Sequence, residues 1–171
     1  YGTYVAKNTS QSTDELVNIG YGSIVKAKWS YLPLSAGDVV RSSVGSIPFY
    51  TVKKFNSERV LDSQHIYFAS SMRAVQSYEV DNGVGGFVKT EFAYEDAIFN
   101  KAGRGFSGFR KIHEIASKGL MTSREFHYAF PLTGSVLNEE IISLSNNVKI
   151  RTTANLWRFN GPTQTFFGAP Y

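Results

Sequence analysis

The chain has no cysteine among its 171 residues. A disulfide framework, a thiolate metal site and a cysteine nucleophile are all excluded together. The absence leaves the compartment open, because an exported protein need not carry cysteine. Long apolar runs are missing too. No stretch approaches the roughly 18 uncharged apolar residues of a spanning helix, so the sequence predicts no membrane insertion. Tyr1 to Gly20 is polar and lacks the basic start and apolar core of a secretory signal. The first residue is Tyr rather than Met, and the chain reads as a piece excised or processed from something longer. Clustered charge is the third absence. Eighteen Lys and Arg against 14 Asp and Glu give a net charge of +4, yet no basic run exceeds two residues. Nucleic-acid binding ordinarily shows a basic cluster or stripe, so this scatter argues against it.

Catalytic patterns are lacking as well. Glu95-Asp96 and Glu139-Glu140 are adjacent pairs, and adjacent residues on a strand point to opposite faces, which makes poor acid/base couples. There is no Gly-x-Ser-x-Gly elbow, since Gly105-Phe106-Ser107-Gly108 has one residue before the serine and none after it. The three histidines are His65, His113 and His127. A hairpin turning near Lys118-Gly119 would set His113 and His127 across from one another, and Glu114 or Glu125 could complete a zinc site. The plainer reading is an ordinary surface or half-buried imidazole at each position. No metal, no other cofactor and no enzymatic activity are expected.

What the chain does have is aromatic residues. Thirteen Phe and ten Tyr favour strands over helices. From Tyr21 to Tyr31, Ile24, Lys26, Lys28 and Ser30 alternate with Val25, Ala27, Trp29 and Tyr31, the second set facing a core. Leu32 to Asp38 breaks that strand with Pro and Gly, and one short strand is expected near Phe49–Phe55. Ser71–Val80 and Phe87–Tyr94 form the clearest pair. The Asp81–Gly86 segment between them supplies glycines for positive φ. Phe106–Ala116 and Met121–Phe130 follow, joined at Ser117-Lys118-Gly119, with Leu120, Thr122, Arg124, Phe126, Tyr128 and Phe130 on one face. Ser135–Ser145 and Val148–Phe159 make a last hairpin, turned at Asn146-Asn147. The best helical window, Ser57–Ala69, is short and mixed. The expectation is an all-β, antiparallel meander of about 8–10 strands, with residues 1–18 as a weakly ordered lead-in and 19–171 as a single module.

One stretch stands out: Ala102-Gly103-Arg104-Gly105-Phe106-Ser107-Gly108-Phe109-Arg110. It matches G-x-G-x-x-G literally. That fingerprint needs a helix after the glycines, and Phe109 to Ile115 reads as strand. Arg104-Gly105-Phe106 followed by Gly108-Phe109 also echoes an RNA-recognition strand. The inserted Ser107 and the missing helices weaken that reading. The residues favour a structural motif of Gly103, Arg104, Gly105, Phe106, Gly108 and Phe109. In it the glycines let a bent or bulged strand pass close to a neighbour, and the two phenylalanines fill a core.

These residues also carry a family resemblance. Val75-Gln76-Ser77-Tyr78 precedes Asn82-Gly83-Val84-Gly85-Gly86. A strand ending in Phe92-Ala93-Tyr94 follows, then Gly103–Arg110, then Phe130-Pro131-Leu132-Thr133-Gly134. The order resembles the B component of bacterial insecticidal Tc toxins and related RHS (YD-repeat) proteins over about residues 71–145. Lys26 to Pro33 is similar to an upstream strand of that family. Glu95-Asp96-Ala97 departs from the usual Gly-Ala, and Ser107 stands where Leu is common. The resemblance implies a fragment of a larger β-shell or of the junction between propeller and shell. It implies secretion, and partners in the remainder of the same toxin polypeptide or in other toxin subunits. It implies a non-catalytic role in enclosing or delivering a C-terminal effector. The family's catalytic parts lie elsewhere, and no segment here matches them. The alternative is a stand-alone β-rich binding module for nucleic acid or glycan.

Overall fold

The turn chemistry of Asp81–Gly86 closes a hairpin in the computed structural model, with Gly83 at φ 78 and Gly85 at φ 86. The structure describes residues 15–21, 24–37, 45–52 and 61–158, together with the backbone of 4–6, 39–42, 165–166 and 169–170. The strands are β1 (Tyr4–Ala6), β2 (Asn18–Tyr21), β3 (Ile24–Pro33), β4 (Val39–Ser42), β5 (Gly45–Pro48), β6 (Tyr50–Thr51), β7 (His65–Tyr67), β8 (Arg73–Asp81), β9 (Phe87–Asn100), β10 (Gly105–Ala116), β11 (Leu120–Phe126), β12 (Val136–Ser143), β13 (Val148–Ala154), β14 (Thr165–Phe166) and β15 (Ala169–Pro170). No described residue is helical. Of the expected helical window, 57–60 lie outside the described residues and the rest holds a turn and β7.

The main sheet has 11 strands in the order β1-β2-β3-β8-β9-β10-β11-β12-β13, with β6 and β7 lying alongside β9. It is open, not closed into a barrel. Its pairings are antiparallel except that of β6 with β9, where Tyr50 lies opposite Tyr94. The all-β antiparallel expectation holds, and the surplus strands are short ones of two to four residues. The lead-in contributes β1, which pairs with β2 from Tyr4↔Tyr21 to Ala6↔Ile19.

Strand β9 organises the sheet. One of its edges pairs with β10 from Thr90 to Asn100. The other is shared by β8 over Phe87–Glu91, β6 at Tyr94 and Glu95, and β7 over Ile98–Asn100. The core collects around it: Leu34, Phe49, Ala93, Tyr94, Ala97 and Ile115 are buried together, flanked by Phe92, Phe109, Ile112 and Met121. The alternation expected in β3 holds from Ile24 to Trp29. Beyond a register shift between Ser30 and Tyr31, every residue is half-buried. At the far edge, β13 is exposed at every position. Cross-strand ion pairs support that region: Arg124 bridges Glu114 and Glu139, and Arg151 also reaches Glu139.

Candidate functional site: the glycine bend and its aromatic seam

The nine-residue motif forms most of the turn between β9 and β10 and the first half of β10. Gly103 (φ 94), Gly105 (φ 77) and Gly108 (φ 95) all take positive φ, a region that side-chain-bearing residues avoid. The register with β9 slips between Phe106 and Gly108, so Ser107 is the extra residue of a β-bulge. Close approach is not what requires the glycines. A Cβ built on Gly103, Gly105 or Gly108 meets nothing within 4 Å. The expectation of a tight crossing is therefore corrected: backbone conformation, not crowding, demands glycine here.

The aromatic side chains form a continuous seam across the bend. Tyr94 packs on Phe109 at 4.4 Å and on Phe49 at 5.5 Å. Phe109 meets Phe106 at 5.5 Å, and Phe106 leads on to Phe68 and then Phe99 at 6.2 and 5.9 Å. Phe109 belongs to the core margin, as expected. Phe106 does not fill the core, because it is 43% exposed. The bulge sets both rings on one face, with Phe106 opposite Phe99 and Phe109 opposite Ala97, and Phe106 is the more exposed because it stands at the open end of β10.

The guanidinium of Arg104 lies 3.8 Å over the ring of Phe130, a cation–π geometry. That contact joins the glycine motif to the Phe130-Pro131-Leu132-Thr133-Gly134 stretch. Arg110 lies 5.6 Å over Tyr128 in the same loop. Beneath them a polar chain anchors the turn. Asn100 Oδ1 accepts from Ala102 N at 2.8 Å, and its Nδ2 meets His65 Nε2 at 3.0 Å. His65 Nδ1 meets Asp62 Oδ1 at 2.7 Å, and the imidazole beside it holds the Asp62 carboxyl below its usual range.

Hydroxyls pin the seam from below. Tyr50 donates to Phe68 O at 2.6 Å and accepts from Ala97 N at 3.1 Å. Tyr94 donates to Val75 O at 2.8 Å. Burial pushes the Tyr94 phenol far above the tyrosine value of 10.0, and burial is also the main cause of the rise at Tyr50. A phenol whose folded value is raised contributes stability that is intact below about pH 10 and is lost as pH rises toward the folded value. Urea melts in buffers above about pH 10 are therefore expected to show a loss of stability in the native chain. Tyr94→Phe should flatten that alkaline limb, at a cost of about 1 kcal/mol at neutral pH for the lost hydrogen bond. An alkaline limb unchanged in Tyr94→Phe would refute the assignment.

No family model, curated protein or solved structure matches the chain.

The zinc alternative does not survive the register. His113 lies opposite Ser123, not His127, and no group of three metal-ligating side chains occurs among the described residues. The same register builds something the sequence reading missed. Ser123 Oγ and His113 Nδ1 are 2.5 Å apart, and His113 Nε2 is 3.0 Å from Glu95 Oε1. Serine, histidine and carboxylate thus line up across β11, β10 and β9. These are the residue types of an acyl-transfer triad. Ser123 is only 2% exposed, however, and a nucleophile closed off from solvent meets no substrate. As placed, the trio is a clasp across three strands. Counting outward from the turn at Ser117-Lys118-Gly119 would have paired His113 with Ser123 directly.

Proposed function

We propose that the chain is a non-catalytic structural module of a secreted Tc/RHS-type toxin, forming part of a β-shell that encloses or delivers a C-terminal effector. Its partners on this reading are the rest of its own polypeptide or other toxin subunits. The observation that carries the proposal is the open sheet. A single core gathers around β9 and β10, while β13 at one end is exposed at every residue. Strands without a core of their own are stable when neighbouring structure continues the sheet or covers its face. The contact of Arg104 with Phe130 adds support, since it makes one joint of two motifs of the family pattern.

Sequencing the gene on both sides and imaging its full-length product by electron microscopy tests the proposal. Tandem YD repeats downstream and a hollow β-walled particle are the expected result. A product with neither would overturn it.

A second reading, a glycan-binding module, is favoured by one observation. Trp29, Val75, Tyr78, Phe92 and Tyr94 line an open hollow of about 330 Å³, within the size range of small-ligand sites. A glycan screen that quenches Trp29 fluorescence would favour this reading over the first. The nucleic-acid version draws less support, because Lys26, Lys28, Lys89, Arg124, Lys149 and Arg151 are each paired with a carboxylate.

A further inference from the structure

The tip of the β8–β9 hairpin carries a motif to which the shell reading assigns no task. Asn82 and Gly83 are both exposed there. The side-chain carbonyl of Asn82 accepts two backbone hydrogen bonds, from Val84 N at 2.9 Å and from Gly86 N at 3.0 Å. Asn82 N donates to Gly86 O at 2.9 Å, closing the loop around the amide. The next nitrogen along, that of Gly83, donates to Asp81 Oδ1 at 2.8 Å. Lys26 holds the other oxygen of Asp81. Lys26 first, and the Gly83 N–H second, keep that carboxyl below its usual range, so it is ionised at neutral pH.

Each contact has a chemical meaning. Two N–H donors on an amide oxygen stabilise negative charge as that carbonyl is attacked, the logic of an oxyanion hole. A carboxylate within hydrogen-bond reach of a backbone N–H is placed to accept its proton. Glycine leaves its nitrogen unshielded by a Cβ, and nothing lies within 4 Å of where one would stand. Nucleophile and electrophile are already neighbours in the chain, so no encounter is needed.

We propose that Asn82-Gly83 is a self-modifying site that converts to aspartate or isoaspartate through a succinimide, with Asp81 as its base. Gly83 N attacks Asn82 Cγ, and its proton passes to Asp81. The Cγ–Nδ2 bond breaks, and Nδ2 leaves as ammonia with the proton returned from Asp81. Water then opens the five-membered ring. Attack at Cγ gives aspartate, and attack at the Asn82 backbone carbonyl gives isoaspartate, which lengthens the main chain by one methylene. No oxidant, reductant or cofactor enters. Either product places a second carboxylate beside Asp81, so the hairpin tip gains negative charge as the molecule ages. This inference is independent of the shell reading.

The test is incubation of the folded chain at neutral pH and physiological temperature, followed by peptide mapping with mass spectrometry that separates the two products. The same chain kept denatured in urea is the reference. The folded protein is expected to convert faster than the denatured one. Asp81→Asn should slow the folded rate at least about tenfold, as loss of a positioned base does. Gly86→Ala should also slow it, because a Cβ there would stand 2.9 Å from Asn82 Nδ2 and push the amide off its donors. Circular dichroism confirms that each variant is folded. A folded rate equal to or below the denatured one, or a rate unchanged in Asp81→Asn, overturns the proposal.

Discussion

Gly105→Val and Gly108→Val are each expected to lower folding stability by about 2 to 3 kcal/mol, the upper part of the range for a non-glycine residue forced into a sparsely populated backbone region. The two positions sit at φ 77 and φ 95 on either side of the bulge. A β-branched side chain is the least tolerant of positive φ, because its Cβ substituents crowd the following carbonyl. Neither position is crowded by the rest of the molecule, since an added Cβ meets nothing within 4 Å. Strain and clash therefore make different predictions for asparagine. Asn adopts left-handed conformations by bonding its own backbone, so Gly105→Asn should recover roughly half of the loss. Gly108 lies farther from the left-handed well near φ 57, and Gly108→Asn should recover less. Urea melts of the four variants decide the matter. If Val and Asn at position 105 cost the same, conformational strain is not what selects glycine.

The gross fold was legible because its signals are local. Alternation, turn glycines and the Asn146-Asn147 turn place the start of each strand from β8 to β13 within about two residues, and Asn147 does take a positive φ of 54. Strand β11, expected to reach Phe130, ends at Phe126. What misled the reading was chemistry whose meaning depends on distant partners. Glu95-Asp96 looks like the end of a strand, yet β9 runs through it to Asn100. Asp96 is fully buried at φ 52, a conformation that Asp accepts more readily than most residues. Glycine was misread in the opposite sense. The motif glycines were expected to permit close approach, which occurs instead at Gly20, where the carbonyl of Ile24 occupies the space of a Cβ. Only a fold can show which of its two uses a glycine serves. Strand β6 falls within the short strand expected near Phe49–Phe55, of which residues 53–55 lie outside the described residues, whereas β7, three residues long, has no periodicity to read. The last strand was expected to reach Phe159, which lies outside the described residues, but β13 ends at Ala154 and residues 155–158 are not strand.

His113→Leu is expected to lower stability by about 3 kcal/mol, the scale on which removal of one member of a buried polar pair is felt. The imidazole sits between Ser123 Oγ at 2.5 Å and Glu95 Oε1 at 3.0 Å. Ser123 and Glu95 are both buried, so water does not replace the lost partner easily. Three strands feel the change at once, because β10 pairs with β9 on one side and β11 on the other. Glu95→Gln should cost less, since a glutamine carbonyl still accepts from Nε2. Ser123→Ala should cost about 1 to 2 kcal/mol, for one hydrogen bond and a Nδ1 left without it. The decisive measurement is the double variant. Members of one network are non-additive, so His113→Leu with Ser123→Ala should lose clearly less than the sum of the single losses. Additive losses would mean that the three side chains are merely adjacent. A serine-directed phosphonate gives an independent readout of the same geometry. A clasp leaves Ser123 unlabelled in the folded protein. Labelling that vanishes in His113→Leu would make the trio a working nucleophile and base, and the module an enzyme.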